Sequence, residues 1–320
     1  MMAQRRKAGN PLARLFRVLH RKFRTLQKLV FPPELIPFTP ESANGHRVAA
    51  FFADVPSKIY QIAQWLPVFE KAPTHLKPVI ITRHAITTEE LRKITSLQVI
   101  HAPTYDLLMQ LLEVSKFKAL IYVNNSYQNF QTLAYQQAIH IHVNHGESDK
   151  ISMVSNQAKA YDKVFVAGSA AKDRYLAAVA WIDETKLIPV GRPQLDLSTT
   201  PILDKSALKT ITYAPTWEGE DEANNYTSMD HYGIKIINAA VSQSGCRVIY
   251  KPHPIGQLTQ NLNKALSHDE LFDKRQEVCR YYFGGIAAGE STVAFYRELE
   301  HSISEHDAAV SELSRIRRSK

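Results

Sequence analysis

Cysteine is nearly absent: of 320 residues only Cys246 and Cys279 carry a thiol. Two thiols build neither a disulfide framework nor a cysteine-ligated zinc site, which favours a reducing compartment. Cys246 lies inside a strand-like apolar run and is expected to be buried. No run of about eighteen apolar residues occurs, so no segment reads as a membrane span. No G-x-G-x-x-G and no P-loop is present, which disfavours a dinucleotide oxidoreductase or a Walker ATPase. Internal repeats are missing as well. Acidic residues are missing from both ends: residues 1–30 hold nine Lys/Arg and residues 315–320 hold four, with no Asp or Glu in either. The formal net charge of +8 therefore belongs to the ends, since elsewhere 26 basic residues face 31 acidic ones. A nucleic-acid binder would spread its basic residues over a folded surface, so no nucleic acid is expected as a partner.

What the basic arm does contain is periodic. Leu12, Leu15, Phe16, Leu19, Phe23, Leu26 and Val30 draw one apolar stripe on a helix, and Arg14, Arg17, Arg21, Lys22, Arg24 and Lys28 fill the remaining circumference. Such a helix lies in a bilayer interface with its cations at anionic headgroups, each worth about 1 kcal/mol. Arginines interrupt every apolar core that a secretory signal would need. A mitochondrial presequence fits the Arg-rich, acid-free composition but not the lack of serine, and docking on the chain's own body is the plain alternative. Pro32-Pro33 and Pro37 end the helix, so residues 1–40 read as a membrane-association arm and linker at an anionic lipid surface.

Beyond the arm the expected fold class is α/β. Strands are predicted at Val48–Ala53, Val79–Thr82, Gln98–Ala102, Ala119–Val123, Ile139–Val143 and Val164–Ala167. Between them helices are predicted at Ser57–Glu70, Thr88–Ile94 with Thr87 as cap, Tyr105–Val114, Asn129–Gln137 and Ser169–Val179. Strict alternation implies a parallel, doubly wound sheet over residues 41–185. A second series occupies 186–320, with strands at Lys186–Val190, Thr210–Ala214 and Arg247–Lys251 and helices at His231–Ser242, Leu258–Leu266 and Ser291–Arg315. It is short of strands. An unpaired sheet edge invites cover, so the last helix is expected to lay Val293, Phe295, Leu299 and Ile303 over that edge, or two chains to pair there as a homo-oligomer.

Two segments concentrate ionisable side chains just past apolar runs: His145-Gly146-Glu147-Ser148-Asp149-Lys150 and Lys251-Pro252-His253-Pro254. Ligands of open α/β sheets bind at the carboxyl ends of strands, so two such loops suggest a cleft between domains that takes an anionic ligand. His145, beside Gly146, is either a general base or a polar loop residue. The two prolines around His253 make its turn stiff. His140 and His142 share one strand face, and His145 lies three residues further on. No further residue has the spacing to complete a metal site, so no metal is expected and a half-exposed strand pair is the preferred reading.

In order along the chain, His145-Gly146 with Lys150, Val190-Gly191-Arg192-Pro193, Tyr213-Ala214-Pro215-Thr216-Trp217 and Lys251-Pro252-His253-Pro254 resemble the CDP-glycerol:poly(glycerophosphate) glycerophosphotransferases. The resemblance spans roughly residues 120–260. It implies two Rossmann-like domains facing a cleft, of GT-B type, at the cytoplasmic face of a bacterial membrane. It also implies transfer of glycerol phosphate from CDP-glycerol to a cell-envelope polymer such as teichoic acid or capsule, with no cofactor. By position, His145 and His253 would be catalytic. Lys251, Thr216, Trp217 and Arg192 would serve the donor phosphates, and Gly146, Ser148 and Lys150 would lie on the acceptor side. Two departures follow. Glu147 stands where many members have Thr, and the interval after His253 is too short for the nucleotide-binding βα units, which take about thirty residues each. The donor domain thus reads as shortened, which keeps open a remnant that binds an anionic polymer without transfer, or a nucleotide-sugar glycosyltransferase of the same fold.

Overall fold

The computed structural model describes residues 39–147, 153–197, 205–219, 225–229, 231–251 and 291–318. The basic arm, Ser148, Lys150, His253, Cys279 and the expected Leu258–Leu266 helix lie outside them. The chain forms two compact units. The first holds the described residues up to His145, Ala160–Val164 and those from Tyr296 onward; the second holds Gly146–Lys159 and Phe165–Phe295.

The α/β expectation is met. Strands β1 (Val48–Phe52), β2 (Val79–Thr82), β3 (Val99–His101), β4 (Ala119–Tyr122), β5 (Ile139–His142), β6 (Lys163–Val166) and β7 (Leu187–Pro189) make one sheet in the order β3-β2-β1-β4-β5-β6-β7. All pairings from β3 to β6 are parallel. Every residue of β1, β2, β4 and β5 is buried, as both faces of a covered parallel sheet require; β1 and β4 are apolar runs, whereas β5 alternates Ile139 and Ile141 with two buried histidines. Strand order reverses between β1 and β4, and the carboxyl ends of these strands flank the crevice where open α/β sheets hold ligands. Strand β7, which the sequence reading placed first in the second series, is the edge strand of this large sheet.

The helices follow the alternation with three corrections. The single helix expected over Ser57–Glu70 is two, α1 (Ile59–Ala63) and α2 (Leu66–Glu70), with Pro67 in the first turn of the second, where its missing N–H does no harm. Helix α3 (Ala85–Ile94) begins one turn before the expected Thr87 cap. Thr87 Oγ1 donates instead to Asp54 O at 2.8 Å, and Thr88 Oγ1 lies 2.6 Å from buried Thr82 Oγ1, so both hydroxyls serve the core. Helix α4 (Tyr105–Ser115) is capped by Thr104. The helix expected over Asn129–Gln137 is a 3-10 turn at Tyr127–Gln131. Asn129 there spends its amide on Asn124 O and Tyr161 OH, at 2.8 and 2.9 Å, and such side-chain bonds compete with regular helix. Helix α5 (Ser169–Ala178) follows β6.

In the second unit β8 (Lys209–Tyr213) and β9 (Cys246–Tyr250) pair in parallel, with α6 (Gly233–Val241) between them in sequence. Met229, Ile237 and Tyr250 form their small core. Cys246 is half-buried rather than buried, because it opens the outer end of β9.

Helix α7 (Ser291–Arg318), which the sequence suggested as cover for the edge of the second sheet, belongs from Tyr296 on to the first unit. Tyr296 OH donates to Val68 O at 2.7 Å, and Leu299 and Ile303 are buried, while Val293 is exposed. Asp307 pairs with Lys118 at 2.7 Å and Arg47 at 3.7 Å, and Glu305 with Lys163 at 3.3 Å. Arg47 and Lys118 immediately precede β1 and β4, and Lys163 opens β6. The helix therefore meets the sheet at the amino-terminal ends of these strands, opposite the carboxyl edge.

Candidate functional site

His145 stands just past the carboxyl end of β5. The chain turns there through Asn144, whose φ of 52° is a left-handed conformation that Asn tolerates better than most residues. Three contacts fix that turn. The Asn144 side-chain oxygen accepts the His145 amide at 2.8 Å, the indole N–H of buried Trp65 donates to Asn144 O at 2.6 Å, and the Tyr60 ring meets the His145 ring edge-on at 5.9 Å. The imidazole is thus presented at the carboxyl edge of the sheet by a kink that the core holds in place.

His140 and His142 are not a half-exposed pair: both are buried. Tyr122 OH lies 2.7 Å from His140 Nδ1, and His140 Nε2 lies 2.9 Å from Tyr135 O. A carbonyl only accepts, so the single proton of neutral His140 sits on Nε2 and Tyr122 donates to Nδ1. Burial pushes His140 below the usual imidazole range, against the Tyr135 backbone and the Asp162 carboxylate. His142 stacks on Tyr161 at 5.0 Å, and burial pushes it down to about 4. Both are neutral core residues near pH 7. Among the described residues no group of three or more His, Cys, Asp or Glu is placed to hold a metal.

Sequence reasoning missed the polar cluster at the switch point. Buried Asn124, past β4, donates to Asp54 Oδ2 past β1 at 2.7 Å and to Gln61 Oε1 at 2.8 Å. A carboxylate tied by one oxygen keeps lone pairs on the other, which suits it to accept hydroxyls. Seventy residues separate Asp54 from Asn124, so only the β1–β4 pairing joins them.

The second unit carries most of the residues expected to serve the donor phosphates. Gly191, with φ of 79°, is in a conformation that favours glycine, and it turns the chain from β7 to Arg192. Burial pushes the Arg192 guanidinium down, and Glu147 partly restores it. Glu147 is also held by Arg174 at 2.8 Å and accepts the Ala167 amide at 3.2 Å. The residue that departs from the family pattern thus lies among the basic residues of its own unit. A Cβ built on Gly146 meets nothing within 4 Å. Half-buried Thr216 and Trp217 follow β8, with Thr216 O accepting Thr227 Oγ1 at 2.7 Å. Half-buried Lys251 follows β9, its amide bonded to Tyr213 O at 2.9 Å. The structure therefore brings Arg192 together with Glu147, and sets Thr216, Trp217 and Lys251 at the carboxyl ends of β8 and β9. His145 belongs to the other unit. Ser148, Lys150, His253 and the arm residues Arg14, Arg17, Arg21, Lys22, Arg24 and Lys28 lie outside the described residues.

No family model matches this sequence, and no curated protein does. Among solved structures the chain is similar to MnaA of S. aureus bound to UDP, at 13% identity over 75% of this chain and 70% of that one, with a TM-score of 0.47. It is similar to the lipopolysaccharide outer core galactosyltransferase WaaB, at 11% identity over 73% and 67%, TM-score 0.42. It is similar also to the wall teichoic acid polymerase TagF, at 14% identity over 79% and 67%, TM-score 0.39. Likenesses of this size do not decide the chemistry.

Proposed function

We propose that this chain is a transferase of the CDP-glycerol glycerophosphotransferase type, moving glycerol phosphate from a nucleotide-activated donor to a cell-envelope polymer at a membrane surface. The observation that carries this reading is the presentation of His145 at the exit of β5 by Asn144, Trp65 and Tyr60. An imidazole there takes the proton of the acceptor hydroxyl as its oxygen attacks the β-phosphorus of CDP-glycerol. The bond from that phosphorus to the bridging oxygen breaks, and CMP leaves with the electron pair. Arg192, Lys251 and His253 would stabilise the charge that develops, largely an electrostatic and positioning task. The basic arm would hold the chain at the anionic leaflet where such polymers grow.

A second reading, a relative that binds nucleotide or polymer without transferring, is favoured by Glu147, which places a carboxylate among the arginines that a diphosphate would need. Calorimetric titration of the full chain with CDP-glycerol, and separately with a UDP-sugar, decides between them when followed by a transfer assay. Binding and turnover of CDP-glycerol support the first reading. Binding without turnover supports the second. Preference for the UDP-sugar points to a nucleotide-sugar glycosyltransferase.

A further inference from the structure

A second set of basic side chains lies on the carboxyl edge of the first unit's sheet, away from His145. His101 ends β3 and pairs in register with Thr82, the last residue of β2; Arg83 and His84 follow directly. Three of their nitrogens, Arg83 Nε, His84 Nδ1 and His101 Nε2, are buried atoms with no hydrogen-bond partner among the described residues. Buried polar atoms are nearly always paired, so three orphans in one place call for an explanation.

The remaining bonds of Arg83 go to neutral oxygens, Gln131 Oε1 and Pro103 O. Among the described residues no carboxylate is paired with it. Burial alone pushes Arg83 below its usual range, and the charged groups that act on His101 are Arg92, His84 and Arg83. Arg92 itself turns to Val99 O. Helix α3 starts at Ala85 without a side-chain cap, so its amino end adds partial positive charge beside the same three residues. The turn that supplies Gln131 exposes Tyr127 and Phe130.

We propose that Arg83, His84 and His101 form a phosphate subsite on the first unit, taking a phosphate monoester or diester. A planar guanidinium and two imidazoles close enough to act on one another electrostatically suit the tetrahedral oxygens of phosphate, and the exposed Tyr127 and Phe130 rings provide a flank for the chain that carries it. Assigning that phosphate to the acceptor polymer rests on the function proposed above; the site itself does not.

The test is NMR of the imidazole rings of the full chain during titration with inorganic phosphate and with glycerol 3-phosphate, at ionic strength matched with chloride. His84→Gln and His101→Gln identify the two rings. Saturable shifts of both rings, weakened at least tenfold in Arg83→Gln, are expected. Should Arg83→Gln fail to fold, a tenfold weakening of the His84 shift in His101→Gln serves the same purpose. Shifts with glycerol 3-phosphate assign the site to a soluble or polymeric phosphate. Shifts that appear only with phosphatidic acid vesicles assign it to a lipid headgroup. No saturable shift with any of these, or a shift that the variants leave unchanged, overturns the proposal. Phosphate shifts in a chain that neither binds nor turns over CDP-glycerol would sink the functional reading and leave the subsite standing.

Discussion

The Glu147 carboxylate and the Arg174 guanidinium meet at 2.8 Å, each about three-quarters buried, and the same carboxylate is felt by Arg192. If the proposed function holds, Glu147 competes with the donor phosphates for these arginines, and Glu147→Thr is expected to tighten CDP binding about tenfold, one charge-assisted hydrogen bond's worth. Calorimetry checks this, and unchanged or weaker affinity would show that the arginines do not face the ligand.

His145→Gln is expected to lower turnover by about a hundredfold or more, the usual loss on removing a general base, while circular dichroism stays unchanged. Retention of most of the turnover would remove His145 from the chemistry.

His142 makes stability depend on pH. The unfolded chain takes up its proton near pH 6.5, the folded chain only near 4. The unfolded state therefore binds more protons between these values, and stability falls as pH drops from about 6.5 to about 4, then levels off. The loss attributable to this one ring is on the order of 3 kcal/mol. Burial holds His140 and His101 down as well, so they add to the same slope. His142→Phe keeps the stack on Tyr161 and should flatten the profile of urea unfolding free energy against pH. An unaltered slope would contradict the burial-driven shift.

Gly146 has an ordinary φ and open space where a Cβ would point, so the fold does not require glycine there. Gly146→Ala should leave the melting temperature unchanged or slightly higher, since alanine restricts the unfolded chain. Weakened acceptor or donor binding with that unchanged stability would mark the open space as ligand volume. A stable variant with full affinity would show that the space is solvent.

The closing helix separates packing from charge. Leu299→Ala, at a position 1% exposed, should destabilise the first unit by about 2–5 kcal/mol. Asp307→Asn should cost less than about 1 kcal/mol although it breaks two ion pairs, because Asp307, Lys118 and Arg47 are each more than a third exposed. Thermal unfolding of the two variants checks the order, and a reversed ranking would give the ion pairs the larger share.

Strand positions were legible because covered parallel strands demand continuous apolar runs, and Val79–Thr82 is found with the bounds the sequence implies. The exit of β5 was legible from its β-branched Ile139, Ile141 and Val143, which is why His145 could be picked out, although the strand's buried histidines were not. Polar side chains that bond locally were misread. Thr87 and Thr88 resemble a cap but bond to Asp54 and Thr82 in the core, and Asn129, bonding nearby, turns a helical pattern into a 3-10 turn. The Asp54–Asn124 cluster and the Arg83, His84 and His101 group have no local signature, because each is assembled by strand order across the sheet. The destination of the last helix was equally hidden: an apolar stripe states that it packs, not on what.

That destination has a consequence for how the chain is made. Lys118 and its partner Asp307 are 189 positions apart, and at about 5–20 residues per second the ribosome needs roughly ten to forty seconds to pass from one to the other. For that interval the nascent sheet exposes the apolar strip that Tyr296, Leu299 and Ile303 later occupy. The first unit is thus begun before the second and completed only after it, and that interval on the ribosome is a window for chaperones and for misassembly.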